Sequence, residues 1–113
     1  MSCIFCDIVS GKLPAEKLFE DNHVLVIKDI NAAAPVHILA IPKKHIPSFL
    51  DLEAKDAIIL SAVVSALQEM SRKFGLDKIG FRIVNNVLQG GGQTVFHIHF
   101  HLLGGRTLGW PPG

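Results

Sequence analysis

The sequence predicts an α+β domain built from a five-stranded antiparallel sheet, one long helix and a short helix at the N-terminus. Three observations lead to that class. Five short segments are rich in β-branched or alternating apolar residues and are bounded by Gly, Pro, Asn or Asp. Only one stretch, residues 48–74, keeps apolar residues at helical spacing over many turns. Most connections are short, which favours antiparallel neighbours over helical crossovers.

The elements follow in order. Residues 4–10 fit a short helix, stopped by Gly11 and then by Pro14. Residues 17–20 make a short strand, Asp21-Asn22 supplies turn chemistry, and residues 24–27 make a second strand. Residues 31–35 are a loop, and residues 37–41 a third strand closed by Pro42. The long helix over 48–74 has Glu53 and Asp56 near its start, where negative charge suits the helix dipole. Its apolar face is Ile59, Val63, Ala66, Leu67, Met70 and Phe74, and Gly75 ends it. Residues 81–85 and 94–103 give the last two strands, with a glycine-rich loop over 86–93 between them.

Composition narrows the function. The chain has 113 residues, which fits one domain over 1–113, and is 49% hydrophobic and 19% charged, which suits a packed core. A net charge of +1 gives no electrostatic reason to expect nucleic acid or an anionic membrane as partner. No apolar run approaches a membrane span, and Met1-Ser2-Cys3-Ile4-Phe5 lacks the basic start of a signal peptide. Two cysteines spaced Cys-x-x-Cys do not make a secreted disulfide framework, so a cytoplasmic protein is expected. No internal repeat and no low-complexity linker is visible.

His97-Ile98-His99-Phe100-His101 holds three of the six histidines at every second position. On a strand the three rings share one face, about 6.6 Å apart, with Ile98 and Phe100 opposite. The row spans about 13 Å, and a zinc–nitrogen bond is about 2.1 Å, so one ion does not take all three rings. A neighbouring pair can share one. Neutral imidazole is a good nucleophile, and a second ring in the row can donate to the group under attack. The plain alternative is a polar strand facing solvent. Gly90-Gly91-Gly92-Gln93-Thr94 leads into the row. Its main-chain N–H groups can approach an anion, and Gln93, Thr94 and Asn86 add side-chain donors. Alone, the same glycines would suit a hairpin turn. The Cys3/Cys6 pair has the spacing of half a zinc knuckle; the alternative is a pair of reduced thiols, with a redox pair as a minor option.

The motif His97-Ile98-His99-Phe100-His101-Leu102-Leu103 resembles the histidine triad, His-x-His-x-His followed by two apolar residues. The resemblance runs through nearly the whole chain: Asp29-Ile30, His37, Ile41-Pro42-Lys43-Lys44-His45-Ile46, Leu103-Gly104-Gly105-Arg106 and the terminal Trp110-Pro111-Pro112-Gly113. The chain is similar to the histidine triad nucleotide-binding (Hint) branch, whose members are purine nucleoside phosphoramidases. That resemblance implies a HIT-like fold and a homodimer that binds an AMP-like purine nucleotide. It implies hydrolysis of a P–N bond with no catalytic cofactor. Related readings are dinucleoside polyphosphate hydrolysis and a non-catalytic nucleotide-binding module.

Roles follow position by position. His99 corresponds to the nucleophile that takes the nucleotidyl group, His101 to the phosphate donor, and His97 and His37 to the histidines that hold the site. Asn86, Gly92, Gln93 and Thr94 fall on the phosphate loop. Thr94 departs from the usual serine and adds a methyl group, which is expected to crowd the leaving group. Asp29 falls on the carboxylate for the ribose hydroxyls, as an ionised Asp can accept from both. Phe5, Ile8, Ile27 and Ile30 fall on the apolar slot for the purine. Trp110 falls on the tail that reaches the partner subunit's site. Some triad proteins complete a structural zinc site with two further histidines, which here are His45 and His97 beside Cys3 and Cys6.

Overall fold

The computed structural model describes residues 2–113. Its centre is a five-stranded antiparallel sheet in the order β1-β2-β3-β5-β4. The strands are β1 Lys17–Glu20, β2 Val24–Lys28, β3 Val36–Pro42, β4 Phe81–Val84 and β5 Phe100–Gly104. The short helix α1 spans Ile4–Val9 and the long helix α2 spans Ala57–Lys73. The predicted fold class therefore holds.

Strand alternation divides the core into two layers. Val24, Val26, Ile38, Ala40 and Leu102 face α2 and pack on Val63, Ala66, Leu67 and Met70. Each large apolar side chain buried there contributes about 1.5–3 kcal/mol. Leu25, Ile27, Leu39 and Ile41 face the other way and pack on Phe5 and Ile8 of α1. The register pairs Leu39 with His101 and His37 with Leu103, so both histidines share the α1 side of the sheet.

Two elements are shorter than the sequence predicts. The long helix begins at Ala57, and residues 48–56 form two 3₁₀ turns instead, Phe49–Asp51 and Ala54–Asp56. Side-chain oxygens cap the chain there before a helix can propagate. The Ser48 hydroxyl accepts from Leu50 N–H, and the Asp56 carboxylate accepts from Glu53 N–H and from Lys44. The histidine strand begins at Phe100 rather than at residue 94. Its partner β3 ends at Pro42, which has no N–H to extend the ladder. Residues 97–99 are held by other bonds: Ile98 N–H donates to the Ile46 carbonyl at 2.6 Å, and Asn85 Nδ2 donates to the His99 carbonyl at 2.9 Å.

Gly104 marks the tightest approach of the sheet to the end of α2. A Cβ built there would lie 2.7 Å from Leu76 Cδ1, and Leu76 is only 1% exposed, so its side chain must shift within the core. Gly104→Ala is therefore expected to destabilise the fold by about 1–3 kcal/mol, as overpacked cores do. Urea unfolding checks this; an unchanged midpoint would show that Leu76 repacks freely.

Candidate active site

Between α1, the end of β2 and the glycine-rich loop lies a cavity of about 810 Å³. Its apolar wall is Phe5, Ile8, Ile27 and Leu39, with Ile4, Leu13 and Ile30 towards the rim. Its polar wall is Asp29, Asn86, Gly92, Thr94, His99 and His101. The two walls come from elements far apart in sequence that the sheet register brings together.

The hydrogen bonds fix which nitrogen of each ring carries a proton. The Ala33 main-chain N–H donates to His37 Nδ1 at 2.9 Å, so that nitrogen carries none and the ring is neutral. His37 Nε2–H then points at His101 Nδ1, 2.8 Å away, with the Asp29 carboxylate 3.3 Å to the side. His101 Nδ1 accepts, which leaves its Nε2–H as the donor. His99 Nδ1 lies 2.8 Å from the His97 carbonyl, which can only accept. In the neutral ring the lone pair of His99 is therefore on Nε2. The rings of His99 and His101 are neighbours, with centroids 5.1 Å apart, and the Phe5 ring stands edge-on to His99 at 5.0 Å. A lone pair and an N–H donor thus sit side by side in one cavity.

Burial pushes the pKa of His101 down to about 4, reinforced by His99 and His37 and opposed by Asp29. The consequence for stability has a definite sign. Above pH 6.5 the ring is neutral folded or unfolded; between there and pH 4 only the unfolded chain takes the proton. Acidification across that window is expected to remove up to about 3 kcal/mol of stability through this group. His101→Gln should flatten that part of the pH profile in urea unfolding. An equally steep profile in the variant would assign the loss to other groups.

A second cluster lies behind His99. His97 is completely buried, and its Nε2–H donates to the Pro42 carbonyl at 2.7 Å. Its Nδ1 lone pair faces Cys3 Sγ at 3.3 Å, His45 Nδ1 at 3.2 Å and Cys6 Sγ at 3.6 Å. Cys6 Sγ and His45 Nδ1 are 3.3 Å apart, and the four donor atoms lie within 4.8 Å of one another. A tetrahedron with zinc–nitrogen bonds of about 2.1 Å and zinc–sulfur bonds of about 2.3 Å has edges of about 3.4–3.8 Å. The side chains fit that group. Burial and the adjacent Cys3 thiol push the Cys6 thiol up, a cost that a divalent cation among the sulfurs would reverse.

Residues 10–108 match the HIT domain. The chain belongs to the HIT domain family. Among HIT relatives, an uncharacterized HIT-like protein of Chlamydia trachomatis is 47% identical over 110 residues, 96% of this chain and 97% of that protein. Among solved HIT structures, a HIT family hydrolase from Legionella pneumophila superposes with a TM-score of 0.97 at 46% identity, covering 99% of this chain and 100% of that one. A histidine triad nucleotide-binding protein from Candida albicans superposes at 0.85 with 30% identity, over 97% of this chain and 83% of the other. The chain is thus a HIT protein with the HIT fold, similar to HIT family hydrolases.

The HIT fold gathers most residues singled out in the sequence. Phe5, Ile8, Ile27, Ile30, Asp29, Asn86, Gly92, Thr94, His99 and His101 line the cavity, and His37 stands directly behind His101. Two do not. Gln93 is turned under the loop, where its amide is taken up by Leu88, Pro47 and Val95, so its donors are not free for an anion. Trp110 is 83% exposed and does not line the cavity. Sequence reading missed the main-chain partners at Ala33 and Pro42 and the part played by the His97 carbonyl, since main-chain atoms carry no residue signature. It also missed Asn85, whose only signal was its place at the end of a strand.

Proposed function

We propose that this HIT protein is a purine-nucleotide hydrolase of the adenosine 5′-monophosphoramidase type, with His99 as nucleophile. One observation carries the reading: the His97 carbonyl holds the proton of His99 on Nδ1, leaving Nε2 unprotonated beside the N–H donor of His101. The purine would lie against Phe5, Ile8, Ile27 and Ile30, and the ribose hydroxyls would donate to Asp29. The phosphate would sit between His101 and the loop residues Asn86, Gly92 and Thr94. His99 Nε2 attacks the α-phosphorus, the P–N bond breaks, and the amine departs with a proton from water. Water then attacks the same phosphorus, the N–P bond breaks, and AMP leaves. His101 donates to the phosphoryl oxygen, where such donors stabilise developing charge. His37 supports it by donating to its Nδ1.

Cys3, Cys6, His45 and His97 would hold a zinc ion whose role is structural, since four protein ligands leave no open position. The exposed apolar residues Ile58 and Val64 of α2 and Phe81 and Ile83 of the edge strand β4 support assembly as a homodimer. Cys3 and Cys6 form no disulfide, which suits a reducing, cytoplasmic setting. Among the described residues no helix is long and apolar enough to cross a membrane.

The test is turnover of adenosine 5′-monophosphoramidate against diadenosine polyphosphates, with acid-quenched protein examined for a nucleotidyl adduct by mass spectrometry. Preference for the phosphoramidate with an adduct on His99 supports the reading. Faster cleavage of the polyphosphates would move the protein to that class. Nucleotide binding with neither turnover nor adduct would make it a binding module.

A further inference from the structure

The glycine-rich loop contains one backbone exception, and it is not at a glycine. Leu88 has φ 59° and ψ −178°, and among the described residues it is the only non-glycine with positive φ. That region belongs almost entirely to glycine, because a Cβ there crowds the main chain. The Leu88 side chain does not offset the cost by packing: it is 46% exposed and joins none of the three apolar clusters. The main chain is what is held. Leu88 N–H donates to Gln93 Oε1 at 2.8 Å, and the Leu88 carbonyl accepts from Gly91 N–H at 3.1 Å and Gln93 N–H at 3.0 Å.

Gln93 is well placed to hold it. The residue is 5% exposed, and its Nε2 donates to the Pro47 carbonyl at 2.7 Å and the Val95 carbonyl at 3.1 Å. One amide thus ties the start of the loop to its end and to the segment after β3. Turning Gln93 outward to meet a phosphate would break all three of these part-buried hydrogen bonds at once, a cost that nothing in the loop offsets. Asn86, Gly92 and Thr94, on either side of this clamp, line the cavity, whereas Gln93 does not.

We infer that Gln93 is a positioning residue. It holds Leu88 in its strained conformation and so aims Asn86, Gly92 and Thr94 at the cavity, without touching the nucleotide itself. The inference rests on the reading of this cavity as a nucleotide site. If it is right, the need for Gln93 depends on the residue at position 88. Glycine there takes the same conformation without strain, so it should relieve the need for the clamp.

The experiment compares the parent, Gln93→Met, Leu88→Gly and the double variant by AMP titration calorimetry and thermal unfolding. Gln93→Met is expected to weaken AMP about 10- to 100-fold, the scale of one released backbone strain. Leu88→Gly alone should stay within about threefold of the parent, and the double variant within about fivefold of Leu88→Gly. The loss of unfolding temperature caused by Gln93→Met should shrink in the Leu88→Gly background. A double variant as weak as Gln93→Met, which is what a direct phosphate contact gives, overturns the inference. Should Gln93→Met not fold, the double variant is compared with Leu88→Gly alone; a double variant that also fails to fold overturns it too. A parent that binds no AMP refutes the nucleotide reading instead, and the unfolding comparison still decides the clamp.

Discussion

His99→Ala is expected to lower turnover of adenosine 5′-monophosphoramidate by at least about 10⁴-fold, the scale seen when a covalent nucleophile is removed. AMP affinity should change by only a few-fold, because Asp29, the apolar wall and the loop residues remain in the cavity. The split follows from the geometry. His99 Nε2 has no partner role in ground-state binding that the neighbouring His101 donor cannot share, whereas nothing else in the cavity offers an unprotonated imidazole nitrogen. His101 Nδ1 is occupied by His37, and its Nε2 carries the proton. The ring of His99 is buried against Phe5, so the variant leaves a small cavity and some stability is lost. Circular dichroism and thermal unfolding separate that loss from the chemical one. Retention of turnover within about tenfold of the parent would remove His99 from the mechanism, since loss of a covalent nucleophile costs several orders of magnitude.

The alternation of histidines in the sequence was enough to put them near one another, but not to assign their work. Strand periodicity predicts three equivalent rings on one face. The chain instead leaves the ladder before Phe100, because Pro42 cannot donate to it. That departure makes the rings unequal. His97 points its Nδ1 to the cysteines, His99 bonds its own neighbour's carbonyl, and His101 stays on the sheet beside His37. The sheet, its apolar faces and α2 from Ile59 onward were legible because burial imposes periods that a sequence records. The capped turns over residues 48–56 were not, since Ser48, Glu53 and Asp56 suit a helix start as well as a turn. Gln93 shows the other kind of gap. Its residue type and its place beside three glycines point to a phosphate, while its partners are main-chain atoms of residues 47, 88 and 95 that no pattern announces.

Loss of the proposed zinc is the second change with a large expected effect. The purified protein should carry one zinc per chain by elemental analysis, and a Cys3→Ser/Cys6→Ser variant should carry none. That variant is expected to lose about 3–5 kcal/mol, seen as a melting temperature lower by about 10–20 °C. The magnitude comes from what the centre joins. Cys3 meets His97 across 94 positions of chain, and His45 meets His97 across 52. Cross-links that close long loops remove the most freedom from the unfolded chain. Apart from this cluster, α1 meets residue 97 through the edge-on contact of the Phe5 ring with His97, and Phe5 and Ile8 otherwise supply apolar packing. The loss should also reach the nucleotide cavity. Phe5 lies between the two cysteines and stands against His99, and the carbonyl that sets the His99 tautomer belongs to His97 itself. A loosened α1 would therefore open the apolar wall of the cavity and free His99 from its fixed orientation at the same time. AMP affinity and turnover should both fall in the serine variant, unlike His99→Ala, which spares affinity. A parent that purifies without zinc, or that keeps its melting temperature when a chelator strips the metal, would show that the four side chains pack as thiols and imidazoles and that α1 is held by its apolar face alone.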